Sequence, residues 1–391
     1  MRHLVILGGS DGTVSAFRAA RRLGLATICV DMRPDAPGVA EADEFLHLST
    51  RDVPAVAAAL RGRAGLAGLL APGSDINLPS LVELARLLGL PCGLTDATLR
   101  ASTDKLHFRE VCERLGLPGP RYCADDHWAD DHWADDHWAD DAYPGLRPPL
   151  PVIVKPVDSG SSRGITICRE PGELPAAIAH AKEVSPSGRA VIEELLTGED
   201  LCAEAMLQDG RIALLGLSRR VTAPPAVVAV GHDMAPADDV LEKEVVRQLE
   251  LVCGDLGYRD GPLNVDLFVD GGQVTLVEMG ARIGGNGLGE ALGLMHGVDT
   301  VEATVRLAVG ERPDLTPARR GPAHVRVLRA PSAGTLVFID GLESLPDSAE
   351  VVVVARPGDH VVPYTECRAK LGYVVDREPA DLDALIRVDV R

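Results

Sequence analysis

Asp266 and Glu278 stand on either side of a glycine pair in NVDLFVDGGQVTLVEMG. Alternating apolar residues around Gly271-Gly272 read as a β-hairpin. With a loop of Gly271-Gly272-Gln273, partner numbers sum to 544 and Asp266 lies directly opposite Glu278. Their Cβ atoms would then be about 5 Å apart on one face. Two carboxylates so placed repel unless a cation lies between them, and Mg²⁺ takes one or two carboxylates together with phosphate oxygens. A two-residue loop would turn the pair to opposite faces. Glu278 follows the apolar run VTLV and precedes Met279, an unlikely setting for a casually solvated acid. Arg282 comes four residues later, followed by Gly284 and Gly285. A guanidinium beside a metal-bridged phosphate would stabilise transferring charge.

A second chemical stretch is VIVKPVDSGSSRG. Lys155 ends a strand there, and the backbone N–H groups of Gly160, Ser161 and Ser162 could wrap phosphate oxygens while the lysine supplies a fixed charge. The N-terminal LVILGGSDG is a strand running into a glycine turn, which favours ligand approach at a helix N-terminus. It is not GxGxxG, and GxxxxGK[ST] is absent from the chain.

The elements that must position these groups follow from pattern. LVILGG, the amphipathic TVSAFRAARRLGL and ATICVD open a doubly wound parallel sheet. LAGLLAPGSD reads as a further strand with an acid at its carboxyl end, and LPSLVELARLLGL as a helix closed near Gly89. A helix is expected from 102, capped by Ser102 or Thr103 and stopped by Gly116 and Pro118. Further helices are expected over 173–184 and 240–257, strands over 151–156, 190–196 and 213–221, and short strands beyond 311.

Net charge is −19, and −11 without the eight aspartates of a tandem ADDHW repeat at 124–141. Either value argues against broad binding of nucleic acid or anionic membrane. No apolar run approaches the roughly 20 residues of a membrane span. Eight scattered cysteines without a CxxC pair read as free thiols of a reducing cytosol. The repeat holds Asp and His, both metal ligands. Its five-residue period nevertheless points successive histidines in different directions in either a helix or a strand, so the reading is a solvated insertion.

Taken in order, these motifs resemble the ATP-grasp superfamily, and within it the L-amino acid ligase-like carboxylate–amine ligases. The resemblance implies a multidomain α/β and α+β chain: a Rossmann-like N-terminal domain over 1–95, an ATP-grasp central domain over 96–310 carrying the exposed repeat, and a small β-rich C-terminal domain over 311–391. In STDKLHFRE it makes Lys105 the first ATP-binding lysine, and Lys155 the second. In VIEELLTGEDLCAEA it puts Glu193 near the adenine amino group, Leu196 at the backbone hinge and Asp200 on the ribose, with Glu199 as the alternative. Asp266 and Glu278 become the metal ligands and Arg282 the catalytic arginine, with backbone N–H groups around Gly284 and Gly285 as oxyanion donors. AVGHDMAP is similar to the GHxxP-type loop of amino acid ligases, which would put His232 near the substrate pocket. Many members carry Asn two residues after the glutamate; here that position is Gly280.

The implied activity is ADP-forming amide synthesis from a carboxylate and an amine through an acyl phosphate. It uses ATP and Mg²⁺, with Mn²⁺ as a substitute, in a cytoplasmic enzyme that is a homodimer through its first domain. Its partners are small-molecule substrates, not nucleic acid or membrane. The rival readings are a bicarbonate-using ATP-grasp carboxylase, an NAD-dependent oxidoreductase built on the first glycine turn, and a non-catalytic nucleotide-binding protein.

Overall fold

The computed structural model describes residues 1–125, 150–160, 163–222, 229–364 and 369–391. At the N-terminus, β1 (His3–Leu7), β2 (Ala26–Asp31), β3 (Glu44–His47) and β4 (Leu66–Leu70) form a parallel sheet in the order β3-β2-β1-β4. Val14–Arg22 (α1), Val53–Leu60 (α2) and Leu78–Leu88 (α3) connect and follow its strands. Gly89 closes α3 at φ 66°, as its position predicts. Asp31 accepts the Gly9 N–H at 2.8 Å and holds Arg33 at 2.9 Å.

The helix expected from 102 begins at Lys105, and a separate helix that was not expected ends just before it. Asp96–Thr103 (α4) is capped by Thr95, and Lys105–Arg114 (α5) by Asp104, whose carboxylate accepts the His107 N–H. Ser102 and Thr103 thus end one helix rather than cap the next. The extended backbone of Asp104, φ −134° and ψ 105°, breaks the helix there and frees the carboxylate to cap.

Tyr122–Ala124 (β5), Val152–Pro156 (β6), Thr166–Cys168 (β7) and Ala190–Glu194 (β8) form an antiparallel sheet in the order β5-β8-β6-β7, with Leu174–Val184 (α6) packed on it. The ADDHW repeat lies outside the described residues except for Ala124 and Asp125. Asp125 is buried, accepts the Ala190 N–H and pairs with Lys182 at 2.6 Å.

The remaining strands are β9 (Glu199–Gln208), β10 (Arg211–Thr222), β11 (Ala229–Ala235), β12 (Gly261–Asp270), β13 (Gln273–Gly280), β14 (Ala323–Leu328), β15 (Gly334–Asp340), β16 (Glu350–Val353), β17 (His360–Val361), β18 (Gly372–Asp376) and β19 (Arg387–Val390). Eight of them form one antiparallel sheet, β13-β12-β9-β10-β11-β14-β18-β16, while β17-β15-β19 form a small separate one. Strands from beyond residue 311 therefore extend the same sheet that carries the hairpin. Along β9, Leu201, Ala203, Ala205 and Leu207 pack against Asp239–Leu256 (α7), and Cys202 and Met206 against Leu288–His296 (α8). That period-two division leaves Asp200 and Glu204 on the second face, beside Asn264 and Asp266 of β12. Thr300–Ala308 (α9) returns to α1, and Leu382–Leu385 (α10) precedes the last strand.

Candidate active site

The hairpin loop differs from the expected one. Asp270 pairs with Gln273, so the loop is only Gly271-Gly272, at φ 57° and 87°, both in the left-handed region that glycine adopts freely. Continued regularly, this register would place Val277 opposite Asp266. A β-bulge intervenes: Leu267 pairs with Leu276, Asp266 pairs with Glu278, and Val277 is the extra residue. The two acids do face each other, through a bulge and not through a three-residue loop.

Cations meet this pair from several elements. Lys105, at the first turn of α5, places Nζ 3.1 Å from Glu278 Oε2 and donates to the Ser159 carbonyl at 2.7 Å. Arg220, on β10, places Nη2 2.7 Å from Asp266 Oδ1 and donates through Nη1 to Asp200. The two carboxylates differ in consequence. Burial disfavours ionisation of both, but Lys105 and then Lys155 draw the Glu278 pKa below its ordinary value. Burial, added to the charge of Glu278, raises that of Asp266 despite Arg220. Among the described residues no trio of His, Cys, Asp or Glu stands close enough to hold a metal alone. Two opposed carboxylates fit Mg²⁺ if the remaining ligands are oxygens of a bound phosphate and water.

Lys155 and Glu193 lie on adjacent strands, and Lys155 Nζ donates to Glu193 Oε2 at 2.6 Å. Arg109 Nε donates to Glu193 Oε1, also at 2.6 Å. Burial opposes the Glu193 charge most strongly, yet Arg109 and Lys155 together lower its pKa to about 2. Asp200 shares Arg220 with Asp266, whereas Glu199 pairs with Arg219. Leu196 follows β8 and is half-buried. Gly160 lies across from Asp75, and Ser161 and Ser162 fall outside the described residues.

Arg282 is held from two sides. Nη2 donates to Asp75 Oδ2 at 2.6 Å, and Nη1 to Asn264 Oδ1 at 2.9 Å. Asp75 comes from the GSD turn after β4, so the pair ties the N-terminal sheet to the end of β13. This contact accounts for Gly280: a Cβ there would sit 2.5 Å from Asp75 Oδ1. The Gly284 N–H, expected to face an oxyanion, instead donates to Glu204 Oε1 at 2.7 Å. Glu204 also accepts from Asn264 at 2.9 Å, and burial raises its pKa to about 7. His232 is buried against Ser218, and burial, then Arg220, lowers its pKa to about 3, so the ring is neutral.

Sequence reasoning missed Arg109, Arg220 and Asn264 altogether. Arg109 lies four residues after Lys105, one helical turn on, and Asn264 two before Asp266 on the same strand face; both spacings were available as signals. Arg220 carried none beyond its place at the end of an apolar run.

Comparison with known proteins agrees with this geometry. The ATP-grasp domain family matches residues 148–290. A D-alanine–D-alanine ligase of Gloeobacter violaceus is 45% identical over 208 residues, covering 51% of this chain and 60% of that one. The formate-dependent phosphoribosylglycinamide formyltransferase of Bordetella avium is 28% identical over 292 residues, 71% of this chain and 68% of the relative. Among solved structures, the L-amino acid ligase of Bacillus licheniformis superposes with a TM-score of 0.76 at 19% identity, over 100% of this chain and 99% of that one. Residues 148–290, which carry the lysine strand and the hairpin, match the ATP-grasp domain family, and the fold is shared along the whole length with that ligase.

Proposed function

We propose that the protein is an ADP-forming carboxylate–amine ligase that joins an amino acid, or a similar acid, to an amine. The observation that carries this reading is the opposed pair Asp266 and Glu278, with Lys105 and Arg220 already in contact with it. A triphosphate laid across the pair would meet Lys105, Lys155 and Arg220. Glu193, Leu196 and Asp200 would receive the nucleoside, and the Gly160 backbone would face the phosphates. Mg²⁺ bound by Asp266 and Glu278 would neutralise phosphate charge and align the terminal phosphoryl group.

In the first step a substrate carboxylate oxygen bonds to the γ-phosphorus, the β–γ bridging bond breaks and ADP leaves. The lysines and Arg220 balance the charge in place of lost water. In the second step the amine nitrogen attacks the acyl carbon, phosphate leaves and the ammonium proton passes to solvent. Arg282, held by Asp75 and Asn264, faces the acyl oxygen. No protein nucleophile is required, so positioning and charge neutralisation carry the rate. The relatives' names support the class: one is a ligase of two D-alanines and the superposed structure is an L-amino acid ligase.

The units 1–95, 96–310 and 311–391 would act as the N-terminal, nucleotide-binding and C-terminal parts, in a cytoplasmic homodimer. No helix among the described residues is long and apolar enough to cross a membrane. The test is a mass-spectrometric search for condensed products from pooled amino acids with ATP and Mg²⁺, together with analysis of the nucleotide product. Formation of AMP and pyrophosphate would eliminate the acyl-phosphate route. ADP release stimulated by bicarbonate without any amino acid would favour carboxylation.

A further inference from the structure

We propose that Arg109 is a positioning residue that holds the Val277 bulge and thereby turns Glu278 toward Asp266. The inference rests on the reading of those two acids as the metal pair. Arg109 is fully buried although it carries a permanent charge. Each arm of its fork is used: Nε donates to Glu193 at 2.6 Å, Nη1 to the Leu276 carbonyl at 2.8 Å, and Nη2 to the Val277 carbonyl. The last two acceptors are the carbonyls at the bulge itself.

The hairpin alone does not favour this arrangement. Its two-residue glycine loop specifies a register that runs Asp266 against Val277, with Glu278 on the far face. One inserted residue reverses that outcome, and an inserted residue disrupts the ladder hydrogen bonds around it. Among the described residues β13 is also the edge strand of its sheet, with no neighbouring strand on its outer side. Arg109 supplies the missing donors from α5. Lys105, one turn earlier on the same helix, holds the Glu278 carboxylate. The helix thus grips both the backbone and the side chain of the metal strand. Through Glu193, Arg109 also joins the bulge to Lys155. Only a planar guanidinium can reach a carboxylate and two carbonyls in different directions; an ammonium on a flexible stem cannot match that fork.

The test compares wild type, Arg109→Lys, and Arg109→Lys with Val277 deleted. Mn²⁺ binding in the presence of ADP is read from the electron paramagnetic resonance signal of free Mn²⁺, and metal-free ADP binding from a fluorescent analogue. Near-ultraviolet circular dichroism checks the fold. The clamp predicts at least tenfold weaker Mn²⁺ binding in Arg109→Lys, with metal-free ADP affinity within threefold of wild type. Deleting Val277 lets the two-residue loop set Asp266 opposite the glutamate by regular pairing, so it should restore Mn²⁺ affinity to within threefold. A folded Arg109→Lys that binds Mn²⁺ like wild type overturns the inference, as does failure of the deletion to rescue it. If Arg109→Lys does not fold, recovery of folding by the deletion supports the clamp and its absence overturns it. A wild type that binds no Mn²⁺ with ADP present would instead refute the metal reading itself.

Discussion

Arg220 and Asp266 form an ion pair at 2.7 Å, and the same guanidinium also holds Asp200. A side-chain cation thus lies against the acid that is proposed to bind a divalent ion. On the proposed reading, metal and ribose would each take a carboxylate from Arg220, leaving it beside the phosphates. Replacing Arg220 with Met should therefore strengthen Mn²⁺ binding a few-fold while lowering turnover by about 100-fold, the usual order for a lost transition-state charge partner. Titration calorimetry with ADP and steady-state ADP release measure the two effects. Parallel losses in both would contradict the placeholder role.

Asp266→Asn and Glu278→Gln each remove one ligand of the proposed metal pair. Turnover should fall by at least about 100-fold in each. Excess Mn²⁺ should recover part of the loss, because weaker binding can be offset by concentration. Activity within tenfold of wild type at low metal would sink the assignment.

Glu204 gives the protein a specific pH dependence. Burial raises its pKa from the ordinary carboxyl range to about 7, so the folded protein holds a proton that the unfolded chain releases near 4.5. Its contribution to stability is intact below about 4.5 and is lost as pH rises through 7. Linkage puts the loss at roughly 3 kcal/mol. Glu204→Gln should match wild type at pH 5 and exceed it at pH 8 in denaturant midpoint. Equal midpoints at both pH values would refute this.

Gly280 is constrained by Asp75. A Cβ at 280 would lie 2.5 Å from Asp75 Oδ1, so Gly280→Asn should force Asp75 away from Arg282 and cost about 1–3 kcal/mol, the usual range for overpacking. Adding Asp75→Ala should recover part of that cost, since the two residues compete for one space. A double-mutant cycle by chemical denaturation reads the coupling. Strict additivity would show that the contact does not matter.

The chain's local patterns were enough to predict the parallel N-terminal sheet, the hairpin and the strands bearing Lys155 and Glu193. Apolar periodicity and glycine placement govern elements over a few residues, and these elements follow them. The facing of Asp266 and Glu278 was expected from a three-residue loop, and the structure reaches it by another route, a two-residue loop and a bulge. The Gly271-Gly272 loop alone predicts the opposite facing, and VTLVEM contains no mark of a bulge at Val277. The residues that meet that bulge and Arg282 come from elsewhere: Arg109 from 168 residues before Val277, and Asp75 from 207 before Arg282. Which cation meets which carboxylate depends on how sheets and helices approach one another in space. A strand pattern tells which face a charge is on; only the folded chain brings its partner within 3 Å.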